Sequence, residues 1–206
     1  MAKAVFITGT DTDVGKTWVA VRLIELMRRR GIRAVGMKPI ECGSDDDSRA
    51  LHAAAADAGV TLEEVNPVHL DEPVAPAAVS EPVEICFEEL KTAFGKLSEK
   101  ADFVVVEGAG GWLVPIDTEK SVADLAACLG VPVVVVAANR LGCLNHTLLT
   151  AQAIHSAGVE LRGVFLNLFG AEDLSQQSNA DQLRQRLDEV PLIDQDLEAL
   201  ADLCLQ

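Results

Sequence analysis

Aromatic residues are scarce in this chain: its 206 residues include no Tyr, two Trp and six Phe. So few rings leave little for a stacking platform on single-stranded nucleic acid, and the core must come from Ala, Val, Leu and Ile. Basic charge is short as well. Seventeen Lys and Arg against 32 Asp and Glu leave a net −15, which repels phosphate backbones and anionic membranes at long range and excludes a nucleic-acid binder. Any anionic ligand must then be held locally, by a helix N-terminus, a nest of backbone amides, a few placed lysines or a metal ion. The five cysteines (Cys42, Cys86, Cys128, Cys143, Cys204) are odd in number and never spaced as CxxC. That excludes a disulfide framework or zinc site, and most of them read as small buried hydrophobes in a reducing compartment. Long apolar runs are missing too. The most apolar segment, 131–138, falls far short of the about 20 residues of a membrane span. The N-terminus runs straight into the strand-like AVFIT without the basic start and apolar stretch of a signal peptide, so a cytoplasmic location without membrane partners is expected.

What is present is ordinary for a globular protein: 49% hydrophobic and 24% charged residues, in a length that suits one domain over 1–206. No repeat, low-complexity tract or linker interrupts it. Continuously apolar, β-branched runs at 4–8, 33–38, 103–107, 131–138 and 163–167 predict buried strands, since strands of a sheet covered on both faces do not alternate with polar residues. Val19, Leu23, Leu26 and Met27 form an apolar stripe after Lys16 that ends before Gly31, the pattern of an amphipathic helix. Further helices are expected at 47–58, 87–100, 121–129, 145–157, 179–189 and 197–205. Strand and helix alternate nearly throughout, which implies an α/β fold of three layers, a mostly parallel sheet with helices on both faces. Ligands of such sheets bind outside the carboxyl ends of the strands.

Three strand ends carry chemistry. The first strand ends in GTDTDVGKT (9–17) and opens into a helix; a glycine-rich turn there points successive amides at phosphate oxygens. Lys16 would reach the terminal phosphates and the Thr17 hydroxyl would ligate magnesium. Gly9 and Gly15 enclose five residues, one more than the strict phosphate loop. The second strand ends in MKPIECG (37–43), where Lys38 either faces the phosphates or is a solvated lysine. Asp45, Asp46 and Asp47 follow; such a run suits a helix start, and one of the three could complete a metal site. The third strand ends with Glu107, followed by Gly108, Ala109, Gly110 and Gly111. A carboxylate leaving a buried valine run is the expected magnesium partner of a phosphate loop, and the glycines would let a substrate approach the backbone. After the fourth strand, Asn145 has the look of an N-cap and the loop before it could bind a carboxylate. Asn167, ending the fifth, could meet a purine edge or make a turn. His146 carries no assigned role, and Cys42 and Trp112 beside the site could equally be packing residues.

Taken in this order, the motifs resemble those of the dethiobiotin synthetases over nearly the whole chain. GTDTDVGKT resembles that family's lengthened phosphate loop, KPIECG its KPxxSG or KPxxTG, EGAGGWLVP its EGAGG segment, and LGCLNHTLLT its stretch between the fourth strand and the next helix. The resemblance implies ATP as co-substrate with Mg2+, and a homodimer with sites near the interface. It implies Thr12, Asp13, Val14, Gly15, Lys16, Thr17 and Asn167 as ATP-binding residues, with Asn167 on the adenine. Thr17, Asp47 and Glu107 would hold the metal. Lys38, Cys42, Gly110, Gly111, Gly142 and Asn145 would bind substrate, the segment 142–145 serving the other subunit's site, and Lys16, Lys38 and Thr12 would be catalytic. The implied reaction joins CO2 to 7,8-diaminopelargonic acid through a carbamate, with ATP, to close a cyclic urea. Cys42 departs from the family's hydroxyl, and a thiol is the weaker donor; Glu41 adds negative charge near an anionic substrate. The short C-terminal part leaves 191–194 as a loop on the adenine side. A partitioning-type ATPase switch would carry a second lysine early in the loop, which GTDTD lacks. A noncatalytic regulatory relative should have lost Lys16, Thr17, Lys38 or Glu107. A glutamine-dependent ligase of cobalamin precursors would need a further domain.

Overall fold

The computed structural model describes residues 3–55, 58–168 and 173–206. In chain order its elements are β1 (Lys3–Gly9), α1 (Lys16–Arg29), β2 (Ala34–Met37), β3 (Ile40–Cys42), α2 (Asp46–Ala54), α3 (Leu62–Val65), β4 (Val68–Leu70), α4 (Phe87–Lys100), β5 (Phe103–Gly111), α5 (Val122–Leu129), β6 (Val133–Ala138), α6 (Cys143–Ser156), β7 (Leu161–Asn167), α7 (Gln176–Arg184), β8 (Leu192–Asp194) and α8 (Leu197–Leu205). Six strands form one sheet in the order β2-β5-β1-β6-β7-β8, and every neighbouring pair is parallel.

The apolar runs explain the layers. All six residues of β6 are buried, because alternate side chains enter two different cores. Phe6, Val104, Val106, Val133 and Val135 point into the core shared with α4, α5 and α6. Val5, Ile7, Phe103, Val105 and Val134 point into the one shared with α1, α2 and α8. Full burial of such a side chain stabilises by roughly 1.5–3 kcal/mol, so the central strands carry much of the fold's stability. The helices on either face thus complete the three layers that the alternation of elements implies.

Register places the strand ends that matter. Ile7 pairs with Glu107 and Gly9 with Gly111, while Met37 pairs with Val106. The loop after β1, the residue after β2 and Glu107 therefore meet at one end of the sheet.

Several expectations are corrected. Two short strands, β3 and β4, pair in a second small sheet, and 191–194 is not a free loop, since β8 runs there as the edge strand. Gly108, Gly110 and Gly111 continue β5 rather than leave it. Asn145 is not an N-cap: α6 begins at Cys143, with Gly142 capping it in the left-handed region at φ 96. There a glycine turns the chain without the steric cost of a Cβ. Helix α2 ends at Ala54, and the expected extension over 56–57 lies outside the described residues. Helix α7 lies nearer the N-terminus than 179–189, with Ser175 at its N-cap position and its end before the turn at Leu187. Among the cysteines only Cys143 and Cys204 are fully buried, Cys42 and Cys128 are partly so and Cys86 is exposed at the start of α4.

Candidate nucleotide and substrate site

The loop between β1 and α1 is shaped by what it cannot accommodate. A Cβ on Gly9 would stand 2.7 Å from the Asp11 carbonyl oxygen and 2.9 Å from Val14 Cγ2, so only glycine lets the loop close on itself. Asp13 and Gly15 take positive φ, 55° and 90°, and Gly15 becomes the N-cap of α1 with no side chain bonded to that helix end. The amides and dipole of α1 are thereby left facing the loop, the arrangement that binds phosphate. The Lys16 ammonium lies across the loop and donates to the Asp11 carbonyl at 3.2 Å. Asp11 Oδ1 accepts from the Thr12 amide at 2.8 Å, and Asp11 Oδ2 lies 3.4 Å from Arg140.

Beside this loop four polar side chains converge. Lys38 Nζ donates to Glu107 Oε1 at 2.6 Å and to Asp47 Oδ2 at 2.7 Å, and Thr17 Oγ1 donates to the same Glu107 oxygen at 2.8 Å. Lys38 is held where β2 ends by its own backbone: its amide donates to Val65 O at 2.7 Å and its carbonyl accepts from Asn66 Nδ2 at 2.7 Å. It is therefore a bridging ion-pair partner, not a solvated lysine. Of the three aspartates, Asp47 is the one that reaches the site.

The electrostatics follow from these partners. Burial works against the charge of Lys38, but Glu107 and Asp47 outweigh it and raise its pKa above the ordinary lysine value. Burial also leads for Lys16, and there it prevails over Glu107, so that pKa is lowered. Asp47 is held below the usual carboxylate range, since Lys38 overcomes the opposing effect of burial. Burial pushes the Cys42 thiol up.

These groups line a cavity of about 580 Å³. Of the residues marked out in the sequence, Thr12, Asp13, Gly15, Lys16, Thr17, Lys38, Cys42, Asp47, Glu107 and Gly110 face it, together with Trp18, Glu41 and the apolar segment 73–76. Val14, Gly111, Gly142, Asn145 and Asn167 do not line it. Val14 is buried and accepts from Asn167 Nδ2 at 3.0 Å through its carbonyl, so Asn167 props the phosphate loop from behind. Gly142 and Asn145 stand at the start of α6, and Trp112 is buried in the core. Pro73, Val74 and Pro76 had no sequence signal as a wall of the site, and Trp18 sits beside the phosphate loop without one; Glu41, expected as negative charge near the substrate, does line the cavity.

A divalent cation suits this donor set. Thr17, Asp47 and Glu107 offer hard oxygens, and the buried Glu107 Oε2 has no hydrogen-bond partner among the described residues. No cluster of three or more His, Cys, Asp or Glu able to hold a metal occurs among them. Two carboxylates and a hydroxyl match the small donor sets on which a hard cation keeps several waters and binds substrate phosphates.

A parallel sheet with a phosphate-binding loop at the carboxyl end of a central strand, a helix opening from that loop and a carboxylate beside it defines a phosphate-loop nucleotide-binding protein. Solved structures agree at the level of fold. A plasmid partition protein from Borrelia burgdorferi superposes with a TM-score of 0.60 at 12% identity, over 99% of this chain and 96% of that one. The septum site-determining protein MinD of Pyrococcus horikoshii, complexed with Mg-ADP, gives 0.54 at 18% identity over 100% and 86%. A sequence profile described as an AAA domain matches residues 3–197. ATP-dependent dethiobiotin synthetases of Aromatoleum aromaticum and Cellvibrio japonicus are each 42% identical, over 93% and 90% of this chain and 88% and 85% of their own lengths. The chain belongs to the AAA-domain family and, within it, to the ATP-dependent dethiobiotin synthetases. Among the described residues no helix is long and apolar enough to cross a membrane.

Proposed function

We propose that this protein joins CO2 to 7,8-diaminopelargonic acid (7,8-diaminononanoate) at the expense of ATP, giving dethiobiotin, ADP and phosphate in biotin biosynthesis. The observation that carries this reading is the pair of buried lysines, one across the phosphate loop and one bridging two carboxylates, facing a single cavity. One amine of the substrate takes up CO2 as a carbamate. The carbamate oxygen attacks the γ-phosphorus of ATP and ADP leaves, giving a carbamic-phosphoric anhydride. The second amine then attacks the carbonyl carbon, phosphate departs and the cyclic urea closes.

Phosphoryl transfer needs positioning and charge neutralisation more than a protein nucleophile, and the side chains here provide both. Lys16 and the amides from Thr12 to Thr17, with Asp13 and Val14 in the loop, cradle the phosphates, while Thr12 stands at the reacting end. Lys38 binds the carbamate and offsets charge as the phosphoryl group moves. Thr17, Asp47 and Glu107 would hold Mg2+, which would supply positive charge against the developing charge of phosphoryl transfer. Cys42 and Gly110 bound the substrate's path, Gly111 follows behind them on β5, and Asn167, tied to the phosphate loop, lies toward the adenine. Gly142 and Asn145 lie outside their own chain's cavity, which suits their service to a second copy. Exposed Leu141 and Leu149 flank them, at 82% and 57%, and support a homodimer packed through α6. We read the chain as one domain acting in the cytoplasm on small molecules, with no nucleic acid or membrane partner.

The test is phosphate release from MgATP with and without the diamine plus bicarbonate. Release that requires both, with dethiobiotin identified by mass spectrometry, is expected. Tight nucleotide binding without substrate-dependent release would overturn the enzymatic reading in favour of a regulatory protein.

A further inference from the structure

Helix α2 opens with two aspartates in its first turn, and Asp45 at its N-cap position makes no capping bond to the helix. Its free amides are satisfied from elsewhere. Glu41 Oε1, on β3, accepts from the Asp47 amide at 3.0 Å and the Ser48 amide at 3.1 Å. A carboxylate in that place is favoured by the helix dipole, so the negative charge that the sequence places beside an anionic substrate is spent on a helix end. Both groups are out of solvent, Glu41 at 3% and Ser48 at 0%. The other oxygen, Oε2, is buried without a partner among the described residues. Glu41 lines the cavity, yet the oxygen it gives to the helix, Oε1, is committed to these two amides.

Asp47 is thereby fixed twice. Its backbone amide is bound by Glu41 and its carboxylate by Lys38 at 2.7 Å. Glu41 stands on a rigid base, since Ile40–Cys42 pairs in parallel with Val68–Leu70 and Lys38 is bonded through its backbone to Val65 and Asn66. The segment after β2 thus delivers Lys38 directly and, three residues on, the group that aims Asp47.

We infer that Glu41 is a positioning residue: acting through the first turn of α2, it fixes Asp47 as a ligand of the nucleotide-associated divalent cation and so sets the affinity for that cation. This rests on the reading that Thr17, Asp47 and Glu107 hold the metal. Outer groups that orient metal ligands typically govern affinity by about 10–100-fold.

The experiment uses the full chain with a non-hydrolysable ATP analogue and Mn2+ as probe, bound and free ion being separated by electron paramagnetic resonance. Glu41→Leu keeps the volume in β3 and removes both acceptors; its Mn2+ dissociation constant should rise by about 10-fold or more, with affinity for the metal-free analogue unchanged. Glu41→Gln keeps one carbonyl oxygen for the two amides and should stay within about fivefold of the parent, a neutral acceptor being roughly half as strong as a charged one. Unchanged Mn2+ affinity in a folded Glu41→Leu protein overturns the inference. So does a Glu41→Gln protein that loses as much as the leucine variant, which would make the charge, not the two bonds, responsible. If Glu41→Leu does not fold, Glu41→Asp, one methylene too short to span both amides, replaces it under the same two outcomes. A parent protein that binds no Mn2+ with the analogue overturns the metal reading itself.

Discussion

The two loops that feed the cavity each deliver one buried lysine, and they hold it differently. The loop after β1 presents Lys16 to a backbone carbonyl; the segment after β2 presents Lys38 to two carboxylates. Their pKa values move in opposite directions as a result, Lys16 down through burial and Lys38 up because Glu107 and Asp47 overcome it. A raised lysine pKa contributes stability that is complete below the unfolded value near 10.4 and is lost as pH rises through the folded value; a lowered one costs stability at neutral pH, and that cost fades toward alkaline pH. Lys16 is therefore a cation stripped of water and waiting for an anionic ligand, while Lys38 belongs to the folded structure even without one.

The contrast is broken most severely at Lys38. Lys38→Met keeps much of the volume but leaves Glu107, fully buried, without its hydrogen-bonded cation. Removing one partner of a buried pair costs about 3–5 kcal/mol, to be read by urea unfolding, and adding Glu107→Gln should return most of the loss. A single variant as stable as the parent would mean that the bridge is not structural. Lys16→Ala comes next: turnover should fall by about 10²–10³-fold, while the melting temperature stays within about 2 °C of the parent or rises. A fall as deep as that of Lys38→Met would abolish the distinction between the two lysines. The smallest effect belongs to Asp47. Its depressed folded pKa gives stability that is present above the unfolded value of about 3.9 and lost as pH falls through the folded one. Solvent reaches 42% of its side chain, so screening holds this to about 1 kcal/mol or less. The stability difference between parent and Asp47→Asn should be constant above about pH 5 and close below about pH 4; a difference that persists in acid would assign it to something other than the ion pair.

Much of this was legible from residue order. Five strands stood out because both faces of the sheet are covered, leaving uninterrupted runs such as VVVV in β6, and the phosphate loop because its glycines have no substitute. What escaped was short or depended on distant chain. Strands β3, β4 and β8 have three residues each, too few for a periodic signal. The four-residue α3 did have one, the reciprocal pair of Thr61 and Glu64 that caps its start. Asp47 could not be chosen from three consecutive aspartates, because the choice is made by Lys38 and by the Glu41 carboxylate behind the helix. Asn145 looked like a cap because asparagine commonly is one, yet Gly142 turns the chain three residues sooner. Glu41 stood out only as negative charge near the substrate; that it also holds the start of α2 depends on a helix whose position the sequence does not give.

The strand order has a consequence for how the protein comes into being. β1 and β2 are not paired; β5 lies between them and pairs with both. A nascent chain that has passed α4 thus holds the phosphate loop and the Lys38 segment on two strands with no hydrogen-bonded relation to each other. Contacts so distant in sequence form late and slowly. When β5 inserts it brings Glu107 on the same strand, so the piece that joins β2 to β1 is also the one that supplies the shared carboxylate. Ribosome-bound chains should consequently gain the nucleotide site and a protease-resistant core together, in one step rather than two.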